Sequence, residues 1–192
     1  MPLILASSSP QRHLLLKQIG ITPDQIIDPQ INEIQFKGEK PKTYVQRLAL
    51  SKASKINQKF SDHYILAADT IVVVRNQKIL TKPSSKEEAL YYLNLLSGKR
   101  HKVYGGIALI TPWQKSIVKV VTTKVQFKKL SPSEITTYLQ CNEWKDKAGG
   151  YAIQGRAALY ISWIEGSYSN IVGLPLSETY NLLKNHGYIF TP

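Results

Sequence analysis

Asp69 stands apart because it interrupts a run that is otherwise apolar: Leu66, Ala67 and Ala68 precede it, and Ile71, Val72, Val73 and Val74 follow. Burying an unpaired carboxylate in such a strand costs on the order of several kcal/mol unless a cation or a metal compensates. The chain has 13 acidic residues, and most of the others fall in polar stretches where a solvated surface accounts for them. A buried ion pair or a strand-end hydrogen bond would explain Asp69 structurally. A carboxylate that accepts a proton or holds a cation would explain it chemically, and is the reading preferred here.

Four further stretches could carry chemistry, each with a plainer explanation beside it. At Ala6–Arg12 a strand turns into a helix, and Ser7, Ser9 and Arg12 could all face an anion held by the free N–H groups of the helix start. An ordinary N-cap explains the same S-S-P. Lys82-Pro83 follows a hairpin at Arg75–Lys78 and would otherwise be a surface lysine. The glycine-rich K-A-G-G-Y-A-I-Q-G, Lys147 to Gly155, suggests close approach of backbone to a ligand, or simply tight turns. G-S-Y-S-N-I-V-G-L-P, Gly166 to Pro175, is a turn leading into a helix.

Several chemistries are excluded. His13, His63, His101 and His186 show no zinc-ligand spacing, and one cysteine adds none. Cys141 cannot form an internal disulfide and has neither base nor oxyanion donors near it, so it is expected as a small apolar filler at a helix end. There is no Walker A lysine pattern, no G-x-G-x-x-G and no G-x-S-x-G. A hard cation held by carboxylates is the metal option left, which suits magnesium or manganese and phosphate chemistry.

The net charge of +12 points to a polyanionic partner: nucleic acid, an anionic membrane surface or a triphosphate. The lysines are scattered and form no block, so most of them read as solvated surface. The opening M-P-L-I-L-A-S-S-S-P lacks a basic region ahead of its apolar stretch, so no signal peptide is expected. Ile65–Val74 is the longest apolar run and is too short to span a bilayer. A soluble, cytoplasmic protein with no membrane partner and no specific nucleic-acid partner is expected.

The elements that must position these residues follow from periodicity and caps. Residues 2–6 read as a strand, and Ser9 with Pro10 as a helix start running to about Ile19 and stopped by Gly20. A second helix is expected from Thr43 to about Lys59, with Val45, Leu48, Ala49, Ala53 and Ile56 on its apolar face and Arg47, Lys52 and Lys55 on other faces. Tyr64–Val74 reads as a strand buried on both sides. Ser85 with Glu88 forms a candidate capping box for a helix ending at Gly98, and Ser131, Pro132 and Glu134 mark another start. Strands are expected near 102–112, 116–128 and 157–165, then a last helix from Pro175 to about His186. Helices and strands mix without strict alternation, which predicts an α/β fold with a mixed, twisted sheet flanked by helices.

Taken in order, these stretches resemble the Maf family of nucleoside triphosphate pyrophosphatases, from Leu3 to about Leu183. Ala6 to Leu16 is similar to the family's A-S-x-S-P-R-R-x-x-L-L, and Tyr44 to Ala53 to its Y-V-x-R-L-A-x-x-K-A. Ala68-Asp69-Thr70, Lys82-Pro83, Leu96 to Val103, Asp146 to Gly155 and Gly166 to Leu176 resemble its remaining motifs, with Ile171 in place of a valine.

The resemblance implies a single domain over residues 1–192, of two lobes with a central cleft. It implies hydrolysis of a nucleoside triphosphate between the α- and β-phosphates, giving a monophosphate and pyrophosphate, with a link to arrest of cell division. By the same resemblance Asp69 is the proton acceptor and a divalent cation is required, with Glu33 and Asp69 as its ligands. Lys52 and Lys82 would bind the triphosphate together with Arg12, Ser7 and Ser9. Homodimers are common in the family. Thr70 and Gln154 resemble the branch acting on dTTP and UTP, rather than the branch acting on 7-methyl-GTP. Gln11 departs from the pattern: it stands where the family has its first arginine, which puts base selection in doubt. The competing expectations are a silent module of the same fold that binds nucleotide or nucleic acid without turnover, and a basic scaffold. The scaffold would leave Asp69 and both glycine-rich turns unexplained.

Overall fold

The computed structural model describes residues 1–190, the side chain of Asn76 apart. It is a mixed α/β fold. Among the described residues the strands are β1 (Leu3–Ala6), β2 (Gln25–Ile27), β3 (Tyr64–Val73), β4 (Ile79–Leu80), β5 (Arg100–Ile110), β6 (Ser116–Phe127) and β7 (Ile161–Glu165). The helices are α1 (Pro10–Gln18), α2 (Pro41–Asn57), α3 (Lys86–Leu96), α4 (Pro132–Gln140), α5 (Tyr168–Val172) and α6 (Leu176–Lys184). Hydrogen-bonded neighbours run β2-β1-β3-β5-β6-β7, with β4 paired to β3. No described helix is long and apolar enough to cross a membrane.

Among the described residues the chain divides into two compact units, the first from residues 1–69, 105–121 and 173–190, the second from residues 70–104 and 122–172. In the first unit β1 lies parallel to both β2 and β3, with Ile4 opposite Ile65 and Ala6 opposite Ala67. Alternate residues of a strand share a face. Ile65 and Ala67 therefore point the same way, and they pack with Ala49, Ala53 and Ile56 of α2 in a core completed by Ile4, Ala6, Ala108 and Ile110. The small residues let helix and sheet approach closely: a Cβ added to Gly106 on β5 would sit 2.5 Å from the Val45 carbonyl oxygen.

The second unit has its own core. Val72, Leu80, Leu93, Leu96, Val103, Val125, Phe127, Tyr138 and Tyr160 are among its buried members. Here β3 pairs antiparallel with β4, and β6 with β7, the latter with an irregularity between Gln126 and Phe127. Cys141 ends α4 and packs against this core, as expected.

Where the elements depart from expectation, local chemistry explains it. The helix α2 begins at Pro41 rather than Thr43, because proline is pre-organised for the first helical position. Ser9 precedes α1, but its hydroxyl leans towards Gln11 Oε1 (3.4 Å) and caps nothing. At α4 the full capping box forms between Ser131 and Glu134, whereas at α3 only half does. There Ser85 Oγ accepts from the Glu88 amide, but the Glu88 carboxylate accepts from the Ser84 amide instead. The first half of the expected 157–165 strand is a 3-10 turn, Arg156–Tyr160, opened by the Ala158 amide donating to the Gly155 carbonyl. Inside Gly166–Pro175, Ser167 Oγ accepts from the Asn170 amide and starts the short α5, where only a turn was expected.

Candidate active site

Asp69 lies on β3 in the row of Ile65 and Ala67, and so faces α2. It is 6% exposed. Lys52, one helical step from Ala53, is 7% exposed and donates from Nζ to Asp69 Oδ1 at 2.5 Å. This corrects the expected placement of Lys52 off the apolar face. Residues 45, 48, 49, 52, 53 and 56 form one stripe at spacings of three and four, and Lys52 sits in the middle of it, buried because its ammonium has a carboxylate to meet.

The same ammonium lies 2.6 Å from Glu33 Oε1. Glu33 comes from the irregular segment between β2 and α2, and its side chain is 44% exposed. Two carboxylates from distant parts of the sequence therefore converge on one cation, one buried and one reaching in from solvent.

Arg12 is the second buried cation. Its Nε donates to the Gly173 carbonyl at 3.0 Å and its Nη1 to Ser7 Oγ at 3.0 Å. Ser7 Oγ also accepts from the Ser9 amide at 3.1 Å, so Ser7 joins the guanidinium to the turn before α1. The G-L-P motif thus supplies a backbone carbonyl that orients the arginine of the S-S-P-Q-R motif, a link with no signal in either stretch alone.

The electrostatics follow from burial. Burial pushes the Asp69 carboxyl above the usual carboxylate range, while the charges of Lys52 and Arg12 and the Lys52 hydrogen bond pull it back, and Glu33 adds to the upward push. Burial pulls the Arg12 guanidinium down, opposed by Asp69 and Glu33. The Tyr44 phenol is pushed up to about 12 by burial and then by the two carboxylates. Two cations and two anions thus share a partly dry site, where charge interactions are stronger than in water.

Asp69 and Glu33 offer the hard oxygen donors that suit magnesium or manganese. Among the described residues no group of three or more His, Cys, Asp and Glu gathers to hold a metal ion. Two carboxylates are nonetheless enough for a magnesium-type ion, which completes its shell with water and phosphate oxygens.

The remaining expected residues belong to the second unit or to the entry of α1. Lys82 and Gln154 are exposed and Thr70 is half-buried, all three in the second unit. There the Gly149 amide donates to the Thr81 carbonyl at 3.0 Å, which sets the Lys82-Pro83 stretch beside the glycine-rich turn. Gly149 and Gly150 both have positive φ, and a Cβ on Gly149 would strike Val72 at 2.9 Å. The segment leading to Gln154 is fixed by Tyr151 Oη at 2.8 Å from His101 Nε2, and by the Ala152 amide donating to Tyr138 Oη at 2.9 Å. Gln11 is half-buried on the first turn of α1.

The Maf-like protein family matches residues 2–186. The chain belongs to the Maf family. Among its Maf relatives, a dTTP/UTP pyrophosphatase from Rhodospirillum rubrum is 48% identical over 187 residues, which cover 97% of this chain and 89% of that protein. A dTTP/UTP pyrophosphatase from the Wolbachia of Brugia malayi is 48% identical over 185 residues, covering 96% and 93%. A nucleoside triphosphate pyrophosphatase from Ehrlichia chaffeensis is 44% identical over 184 residues, covering 96% and 95%. A HAM1 protein from Coxiella burnetii superposes with a TM-score of 0.47 over 95% of this chain and 98% of that one, at 12% identity, a level that carries no argument. Tyr44 and Arg47, which hold the Glu33 segment, went unassigned in the sequence, although both fall in the Maf motif that contains Lys52.

Proposed function

We propose that this chain is a nucleoside triphosphate pyrophosphatase, which hydrolyses the α–β phosphoanhydride to a nucleoside monophosphate and pyrophosphate. The observation that carries the reading is the buried Asp69 with Lys52, Glu33 and Arg12 gathered around it. A structural ion pair would need one cation for one carboxylate. Here a second, solvent-reaching carboxylate shares the ammonium, and a second buried cation contributes to the same field.

In this reading Asp69 accepts the proton of the attacking water, a role favoured by burial, which raises its pKa and makes the carboxylate a stronger base. Lys52 and Arg12 stabilise charge on the phosphates as the anhydride bond breaks, and Ser7 keeps Arg12 in register. Lys82 and Ser9 add contacts to the triphosphate. Asp69 and Glu33 would hold magnesium or manganese, which when bound supplies neutralisation of the phosphate charge.

The curated relatives' activities support dTTP and UTP as substrates, with Thr70 and Gln154 selecting the base. Gln11 removes one fixed cation from the start of α1, and the alternative to pyrimidine selection is therefore relaxed or shifted specificity.

Pyrophosphate release should be followed from dTTP, UTP, CTP and 7-methyl-GTP with magnesium or manganese, for wild type and Asp69→Asn. The expected outcome is metal-dependent release, fastest for dTTP or UTP, falling at least about 100-fold in the variant. A best kcat/KM for 7-methyl-GTP would overturn the substrate assignment. No release from any triphosphate by folded wild type would overturn the enzyme and leave a binding module.

A further inference from the structure

Glu33 has to be held in place by a segment that has no regular structure of its own. Residues 28–40 contain neither helix nor strand and are mostly exposed. Their order comes from α2. Tyr44 Oη donates to the Glu33 carbonyl at 2.5 Å, and Arg47 Nη2 donates to the Ile34 carbonyl at 3.0 Å. Arg47 also grips Glu39 with two prongs, Nε to Oε1 at 2.7 Å and Nη2 to Oε2 at 2.8 Å. Glu39 in turn accepts from the Phe36 amide at 3.1 Å, and the guanidinium lies 3.9 Å from the centre of the Phe36 ring. The hydrogen bond from Arg47 holds the Glu39 carboxyl below its usual range.

Tyr44, Leu48 and Lys52 are spaced by four and form one ridge of α2, while Arg47 neighbours Tyr44 at a spacing of three. One helix therefore holds the Glu33 carbonyl through Tyr44, the next carbonyl through Arg47, and the Glu33 carboxylate through Lys52. A planar fork that binds a carboxylate, a carbonyl and a ring together is a task for arginine and not for lysine.

We propose that Arg47 is a positioning residue: through Glu39 and the backbone of residues 34–36 it keeps the Glu33 carboxylate on Lys52. The inference rests on the pyrophosphatase reading for its effect on turnover, but the geometric claim stands without it. Arg47 touches neither Asp69 nor a phosphate in this scheme, so its loss acts through Glu33 alone.

The test combines Arg47→Met, Glu33→Gln and the double variant with amide hydrogen exchange of the full chain. In the wild-type background Arg47→Met should lower kcat roughly 10- to 100-fold, the scale of a small misplacement of a reacting group. In the Glu33→Gln background it should change the rate less than about twofold, because the group it positions is already lost. Arg47→Lys should fail to restore the rate. The Phe36 and Glu39 amides should exchange faster in Arg47→Met, while the β3 amides stay unchanged. Equal losses in both backgrounds, or unchanged exchange in residues 34–39, would overturn the proposal. If Arg47→Met fails to fold, Glu39→Gln weakens the same two-pronged grip from the segment's side, by removing the charge that Arg47 holds, and takes its place. Should wild type release no pyrophosphate, the functional reading falls, and the exchange experiment alone decides the claim about Arg47.

Discussion

Replacing Lys52 with methionine separates the electrostatic argument from the packing argument, because methionine fills the stem of the lysine and removes only the ammonium. The side chains of Lys52 and Asp69 are 9% and 8% exposed, so their attraction is scarcely screened by water. Removing one partner of a buried pair costs about 3–5 kcal/mol, most of it from the charge left behind. Two features of the site favour the lower end. Arg12 remains as a second cation acting on Asp69, and the Asp69 carboxyl, already shifted upward, can take up a proton. Glu33 adds little, since its exposed side chain can turn to solvent. A loss of about 3 kcal/mol in a chain of this size lowers Tm by roughly 6–12 °C. The double variant Lys52→Met/Asp69→Asn removes both charges and should recover at least about half of that loss, giving a coupling of 1.5 kcal/mol or more, by roughly the range seen for residues in contact. Thermal unfolding of wild type, both single variants and the double variant at pH 7 measures it. A Lys52→Met protein melting within about 2 °C of wild type, against the shift expected for a broken buried pair, would refute the reasoning. So would additive losses in the double variant.

His101 should impose an acid limb on stability. It is 3% exposed between Phe127 and Tyr151, and burial lowers its pKa from 6.5 to about 3. The unfolded chain therefore binds a proton that the folded chain refuses. Stability is complete above about pH 6.5 and is lost as pH falls towards 3, by roughly 2–3 kcal/mol at pH 4.5. Urea unfolding at pH 7 and 4.5 should show that loss shrinking in His101→Gln, and an equal loss in both proteins would disprove it. Gly106→Ala should destabilise by about 2–3 kcal/mol and lower activity, because the new Cβ meets the Val45 backbone of the helix that carries Lys52. Gly20→Ala, at φ +73° with open space around it, should cost only the left-handed penalty of about 1–2 kcal/mol and leave turnover unchanged.

Much of the fold was legible because its signals are local. The Ser131–Glu134 capping box, the Pro10 helix start and the apolar run of β3 each declare themselves within a few residues. The elements missed are those whose cause lies outside such a window. Gln25–Ile27 is a three-residue strand that exists because β1 offers it a parallel edge. Residues 157–160 extend the apolar run of β7 in the sequence, yet the Ala158 amide bonds the Gly155 carbonyl and Arg156–Tyr160 forms a 3-10 helix.

The site divides in the same way. Asp69 announced itself as a charge in an apolar strand, and the stripe 45, 48, 49, 52, 53, 56 announces Lys52 just as plainly once the lysine is counted as a member. A lysine in such a stripe is buried only where a partner meets its charge, and periodicity does not show that partner. The carboxylate of Glu33, by contrast, has no signature in its own segment, which is polar and irregular. Its place is set by residues of α2 distant in sequence: Tyr44, 11 positions from Glu33, and Arg47, 13 positions from Ile34. A side chain on an irregular segment is only as well placed as the rigid element that grips it. In this chain one face of α2 packs on the sheet while its N-terminal half holds the segment. The same helix therefore brings the sheet carboxylate and the segment carboxylate to a single ammonium.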